Sequence, residues 1–185
     1  MAAVRGGDLA TLGALFERHH ATVHALAYRM TGSADAAADL VQETFLRMLR
    51  YRESYRGEAR FTTWMYRLAR NVCLDHLRRA GDDASARQAW ARDARASTDG
   101  DRGEGSDDRL AIVEAALYRL APEKREVLVL SRFHDLPYDE IARIVECQPG
   151  AARVRVHRAL QELRQLCKEL ERGDHELRSG CDAAR

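Results

Sequence analysis

LPYDEIARIVECQPGAARVRVHRALQELR, Leu136–Arg164, decides how the rest of the chain is read. It predicts two helices across a tight turn, one from Tyr138 to Val145 and a longer one opening at Pro149. At about 100° per residue, Ala152, Val156, Ala159, Leu160 and Leu163 of the second helix gather on one side. Arg153, Val154, Arg155, His157 and Arg158 take the other. This is the pattern of a helix-turn-helix whose second member fits a DNA major groove. Guanidinium groups there bridge phosphates or reach guanine O6 and N7, and His157 can meet a phosphate. The bland alternative is a solvated face on the last helix of a bundle. Val154 argues against it, since an apolar residue centred on a charged face suits contact with something such as a thymine methyl.

Upstream of this motif, Leu110 to Leu120 is expected to be a helix burying Val113, Leu117 and Leu120. Pro122 opens another that runs to Phe133, and His134-Asp135-Leu136 forms a turn. Residues 81–109 differ in character. Their acidic end, Asp99, Asp101, Glu104, Asp107 and Asp108, and their single large apolar residue, Trp90, read as a flexible linker.

Before the linker the helical period returns three times. Leu9 to Met30 carries Leu12, Leu15, Phe16, Val23, Leu26 and Ala27. Thr31-Gly32-Ser33 reads as a stop and a cap. Ala34 to Tyr51 then buries Ala37, Leu40, Val41, Phe45 and Leu49 and shows Asp35, Asp39, Gln42, Glu43 and Arg50. After the polar, basic loop Tyr51 to Arg60, Phe61 to Arg79 places Phe61, Trp64, Met65, Leu68, Val72 and Leu77 on a stripe beside Arg60, Arg67, Arg70, Arg78 and Arg79. Tyrosines, arginines and a flexible glycine in that loop suit stacking on unpaired bases. The expected fold is therefore all-α: two small helical domains joined by a flexible acidic linker, the second containing the helix-turn-helix. The boundaries fall at 1–80, 81–109 and 110–170, with a tail at 171–185.

The chain of 185 residues has a formal net charge of only +1. Its distribution says more: 12 basic and 8 acidic side chains lie in residues 1–80, against 5 and 8 in 81–109. Local positive faces on a nearly neutral chain fit brief contact with nucleic acid, or contact made alongside a larger partner. Cys73, Cys147, Cys167 and Cys181 form no CxxC pair; the first three read as small buried hydrophobes and the fourth as a tail thiol. A zinc or redox site of Cys147, Cys167 and Cys181 with His175 is the alternative, which the spacing does not demand. No HExxH, Walker loop or GxSxG is present, and His19, His20, His24 and His134 find no matching ligand or nucleophile set. No catalytic residue, metal or cofactor is expected. With no signal peptide and no apolar run of membrane-spanning length, the expected location is the cytoplasm, without direct membrane insertion.

DLVQETFLRMLR (Asp39–Arg50), FTTWMYRLARNVCLDHLRR (Phe61–Arg79) and the opening stretch together resemble an extracytoplasmic-function sigma factor of bacterial RNA polymerase, over about Leu9–Arg79 and Leu110–Leu170. The resemblance implies core polymerase and promoter DNA as partners, and an anti-sigma factor of the kind that holds many relatives. It assigns Asp39, Gln42, Glu43, Leu46 and Arg50 to the polymerase clamp. Tyr55, Arg56 and Arg60 of the loop, with Arg70, Asn71, Asp75, Arg78 and Arg79, are implied to recognise and melt the −10 element, where a flipped base is captured. Gln148, Gly150, Ala151, Arg153, Val154, Arg155, His157 and Arg158 are implied to face the −35 element, in a domain that also touches the polymerase flap.

Four places depart from the family pattern. Pro137 stands where a serine is usual. Gln148 and Pro149 replace a capping hydroxyl residue and an aliphatic one, and Ala151 and Val154 replace hydroxyl-bearing side chains. The −35 sequence is therefore not transferable from relatives. Two rival readings remain at this level: a stand-alone helix-turn-helix regulator with an N-terminal dimerisation or ligand-binding domain, and a protein-binding helical adaptor.

Overall fold

Helix α1, Leu9–Thr31, ends where the sequence places a stop. Gly32 turns left-handed at φ 77, and its N–H meets the Tyr28 carbonyl at 2.6 Å. The Ser33 hydroxyl then accepts the Ala36 N–H at 3.2 Å and caps α2, Ala34–Arg50. The computed structural model describes residues 6, 9–81 and 107–182. Among them the remaining helices are α3 (Phe61–Gly81), α4 (Asp107–Arg119), α5 (Pro122–Leu128), α6 (Tyr138–Ile144) and α7 (Pro149–Asp182). The expected linker lies outside the described residues except at its edges, where Asp107, Asp108 and Arg109 belong to α4.

The fold is all-α with two helical regions, α1–α3 and α4–α7. In the first, each helix packs on the other two; in the second, α4, α5 and α6 each pack on α7. The regions also meet directly. Helix α3 lies against α5 and α6, and α1 against α5 and the turn that follows it. Buried side chains from Val23 to Ala159 consequently form one hydrophobic cluster.

That contact explains several departures from the sequence pattern. Helix α3 is buried on two sides: Met65, Val72 and Cys73 lie where expected, but Tyr66 and Ala69 are buried as well. Phe61, Trp64, Leu68 and Leu77 are only half-buried. In α2 the stripe includes Thr44 and Met48, while Leu49 is half-buried. Thr44 returns its hydroxyl to the Leu40 carbonyl at 2.6 Å, so its burial leaves no donor unpaired. Val113, expected in the core, is 38% exposed. Burial in α4 begins at Ala116, so its first turns project past the core. The helix expected from Pro122 to Phe133 opens into a wider π turn at Val129–Phe133. Helix α7 runs well past its expected end near Leu170, to Asp182.

Arg125 is the most demanding buried group. Its Nε donates to the Leu117 carbonyl at 3.1 Å, and its Nη2 to those of Tyr118 at 2.6 Å and Leu120 at 3.1 Å. Its Nη1 reaches the Met30 carbonyl of α1. One guanidinium thus binds buried C-terminal carbonyls of two helices in different regions. Burial lowers its pKa to about 10, which still leaves it charged at neutral pH. Cys73 is fully buried and its thiol pushed up to about 12 by burial. Cys147 and Cys167 are half-buried, and the side chains of His175 and Cys181 lie outside the described residues. Among the described residues, no helix is long and apolar enough to cross a membrane.

Candidate nucleic-acid interface

Helix α7 presents the two faces that its period predicts. Ala152, Val156 and Ala159 are fully buried; Gln148, Gly150, Ala151, Arg153, Arg155, His157 and Arg158 are exposed, and Val154 is 47% exposed. The turn before it is closed by backbone alone. The Cys147 N–H reaches the Ala142 carbonyl at 2.9 Å across Glu146, which takes a left-handed φ of 56. Neither helix of the pair starts on a hydroxyl cap. Pro137 precedes α6 with no side-chain cap, and Pro149 opens α7 with the Gln148 carbonyl accepting the Ala152 N–H at 3.0 Å. The guanidinium of Arg153 lies over the Tyr138 ring, 5.4 Å from its centroid, which ties that arginine to α6.

On α2, Asp39, Gln42, Leu46 and Arg50 are exposed along one face, with Glu43 half-buried among them. Leu46 is 59% exposed, a large apolar side chain on an otherwise polar helix face. Glu43 is less available than its neighbours because Arg47 Nε donates to it at 2.7 Å.

The loop and α3 form the third surface. A cleft of about 570 Å³ opens between them, lined by Arg47, Tyr51, Ser54, Trp64, Arg67, Leu68, Asn71, Asp75 and Arg78. It unites three of the expected −10 residues, Asn71, Asp75 and Arg78, with aromatic walls. Asp75 is held from both sides, by Arg47 Nη1 at 2.8 Å and Arg78 Nη2 at 2.9 Å. The same bond to Asp75, ahead of the one to Glu43, raises the Arg47 pKa. Tyr55, Arg56, Arg60, Arg70 and Arg79 do not line this cleft. Tyr55 packs against Trp64 and Phe61 and donates to the Ala59 carbonyl at 3.2 Å, which braces the loop.

Arg70 points away from the cleft and into the seam between the two regions, where Glu126 accepts from its Nε at 2.6 Å and its Nη2 at 3.0 Å. Burial raises the Glu126 pKa, against the pull of Arg70. Arg60 Nη1 meets Glu140 at 2.9 Å, and Arg67 pairs with Glu146. Sequence reasoning gave Arg47 and Arg67 no place in the site and put Trp64 on the apolar stripe, while Tyr51 and Ser54 entered only as part of the candidate loop. Arg47 four places after Glu43, and Arg67 three before Arg70, were the available signals.

Two family models match the chain: Sigma-70 region 2 over residues 15–82, and Sigma-70 region 4 over residues 110–163. Among curated proteins, RNA polymerase sigma factor CarQ of Myxococcus xanthus is 38% identical over 160 residues, covering 85% of this chain and 89% of that protein. RNA polymerase sigma-H factor of Pseudomonas aeruginosa is 29% identical over 179 residues, with 91% and 92% covered. The fold is similar to CnrH as solved with the cytosolic domain of CnrY, with a TM-score of 0.65 at 24% identity and 91% and 94% coverage. It is likewise similar to RpoE in complex with the anti-sigma factor NepR from Bartonella quintana, with a TM-score of 0.63 at 23% identity and 84% and 96% coverage. Two family models in order along the chain, and a relative this similar over most of its length, place the chain in the extracytoplasmic-function group of the sigma-70 family of RNA polymerase sigma factors.

Proposed function

We propose that this sigma factor works through three separate surfaces. The exposed face of α2, Asp39, Gln42, Glu43, Leu46 and Arg50, docks on the polymerase clamp, with Leu46 as its apolar anchor. The cleft beside α3 receives an unpaired base of the −10 element. The arginine face of α7, Arg153, Arg155, His157 and Arg158 with Val154, lies along the −35 duplex.

The cleft carries the reading. Tyr51 and Trp64 offer ring surfaces, Asn71 and Asp75 offer donor and acceptor edges, and Arg67 and Arg78 offer charge for a phosphate, all around an open cleft large enough to admit a nucleobase. A non-catalytic protein offsets the cost of unpairing by binding what is exposed, and an aromatic-walled cleft edged with arginine suits that task. Arg56 and Arg79 extend the same −10 surface beyond the cleft, as do Arg60 and Arg70, which here are paired with Glu140 and Glu126.

The test is promoter opening by reconstituted holoenzyme, followed with 2-aminopurine placed in the −10 element. Asn71→Ala should reduce opening by about tenfold while leaving core binding intact, the loss of one or two hydrogen bonds to a base. Unimpaired opening would remove the cleft from the mechanism. An anti-sigma factor is proposed as a further partner. A structure of similar fold was solved with such a protein, and copurification from the native host tests it.

A further inference from the structure

Across the whole helix-turn-helix, Leu136–Arg164, the only side-chain hydroxyl belongs to Tyr138. Hydroxyls are ordinary donors to DNA phosphate, and α7 offers none between Pro149 and Arg164. Tyr138 opens α6, with its ring half-buried against the core. Its hydroxyl takes no hydrogen bond among the described residues and reaches solvent. From α7 the Arg153 guanidinium lies over that ring, 5.4 Å from its centroid, on a side chain that stays exposed. An unoccupied hydroxyl and a charged donor thus stand together where the two helices meet.

We propose that Tyr138 and Arg153 form one phosphate grip at the edge of the −35 groove: the ring holds the guanidinium against a backbone phosphate, the hydroxyl donates to the same phosphodiester, and base reading falls to other side chains of α7. The proposal rests on the −35 reading of α7 given above and adds Tyr138 to it. In a helix-turn-helix the first helix crosses the sugar–phosphate backbone while the second lies in the groove. An arginine anchored on α6 is therefore held over the backbone. Val154 and Arg158, by contrast, stand opposite the buried Ala152, Val156 and Ala159, at the centre of the exposed face. The ring attracts the guanidinium and limits its rotamers, so less freedom is lost when the phosphate binds. Tyr138 also returns to the motif the hydroxyl that Ala151 and Val154 lack.

The test measures binding of reconstituted holoenzyme to a promoter duplex identified by transcript-start mapping. The duplex carries one uncharged methylphosphonate in turn at each phosphate of the −35 element. For the parent, neutralising one particular phosphate should weaken binding about tenfold, the worth of a hydrogen bond to a charged group. Arg153→Ala should lose about tenfold on the unmodified duplex and nothing further at that phosphate. Its slope of log affinity on log salt should become shallower by about 0.9, and its ranking of single-base-pair variants should match the parent's. Tyr138→Phe keeps the ring and should lose about threefold with the slope unchanged, since the hydroxyl carries no charge. Tyr138→Leu should fall below Tyr138→Phe, yet on an Arg153→Ala background the two should bind alike, because the ring acts only through the arginine.

An Arg153→Ala protein whose preference changes at a single base pair overturns the proposal, since Arg153 would then read a base. So does full sensitivity of Arg153→Ala to every methylphosphonate that affects the parent. Tyr138→Leu with the parent's affinity removes Tyr138 from the grip and overturns the proposal as well. All three outcomes leave the −35 reading standing. That reading fails separately if Arg153→Ala, Arg155→Ala and Arg158→Ala all bind as the parent does and no methylphosphonate in the element matters. Circular dichroism establishes that each variant is folded, and Arg153→Ala, at an exposed side chain, keeps the test decisive where Tyr138→Leu disturbs α6.

Discussion

Arg70 and Glu126, 56 residues apart, meet at two points 2.6 and 3.0 Å long in the seam between the two helical regions. A buried pair of this kind contributes little net energy when intact, because desolvation offsets the attraction, but breaking it strands a charge. Arg70→Ala should therefore cost about 3 kcal/mol in urea unfolding. Arg70→Met/Glu126→Leu should recover most of that loss. A double variant as unstable as Arg70→Ala alone would show that the two side chains do not act as a pair.

Arg125 poses a different problem, since its partners are carbonyls and not a carboxylate. Arg125→Met removes the guanidinium from the Met30, Tyr118 and Leu120 oxygens, at about 1–3 kcal/mol for each group left dry, while the Leu117 oxygen keeps the Leu120 N–H at 3.3 Å. Arg125→Lys should rescue little, because an ammonium cannot reproduce the planar fork that spans the ends of α1 and α4. Thermal unfolding checks both, and full rescue by lysine would refute the claim that geometry governs the site.

These two residues also show where the sequence stops being readable. The inner and outer faces of α7 follow from the spacing of Ala152, Val156 and Ala159, since one helix reports its own period. Ser33 and Pro122 likewise mark helix starts by local chemistry. The seam is different. Nothing local in Lys124-Arg125-Glu126 marks Arg125 and Glu126 for burial, which depends on Met30 and Arg70, distant in the chain. Tyr66 and Ala69 go unexplained by one apolar stripe because α3 has two buried sides. The cleft was half legible: Asn71, Asp75 and Arg78 share one helix, whereas Arg47 and Tyr51 reach it only through the packing of α2 on α3.

His134 gives the seam a pH dependence. Burial first, and Arg29 second, lower its pKa from 6.5 to about 4, with Asp135 opposing; the Tyr66 hydroxyl lies 3.0 Å from Nδ1. The folded protein therefore holds the ring neutral where the unfolded chain would protonate it. Its contribution to stability is complete above about pH 6.5 and declines as pH falls toward 4. The urea midpoint should drop over that window, and His134→Gln should flatten the slope. An equal slope in both proteins would assign the acid sensitivity to other groups.

On the recognition helix all three arginines are exposed, and a contact with α6 sets one of them apart. Arg153 is held over Tyr138, whereas Arg155 and Arg158 stand on the face turned to solvent. Arg155→Ala and Arg158→Ala should each weaken holoenzyme binding to the −35 element. Loss of a base-specific contact costs about 1–3 kcal/mol of discrimination, and loss of a phosphate contact lowers affinity for all sequences alike. Val154→Ala tests the apolar contact: reduced preference at a single thymine position is the expected result. Binding to a panel of −35 variants reads all three, and unchanged affinity across the panel would return this face to solvent.

Glu146 sets two effects against each other at the turn of the motif. Its left-handed φ of 56 costs a non-glycine residue about 1 kcal/mol, while its carboxylate pairs with Arg67 across the seam. That ion pair joins side chains 52% and 59% exposed, so water and salt limit it to about 0–1 kcal/mol. Glu146→Gln loses the pair and keeps the strain, so it should be slightly less stable than the parent. Glu146→Gly loses the pair and relieves the strain at a position where glycine is the usual helix terminator, so it should exceed Glu146→Gln by about 1 kcal/mol. Equal unfolding midpoints would mean that the left-handed turn is unstrained.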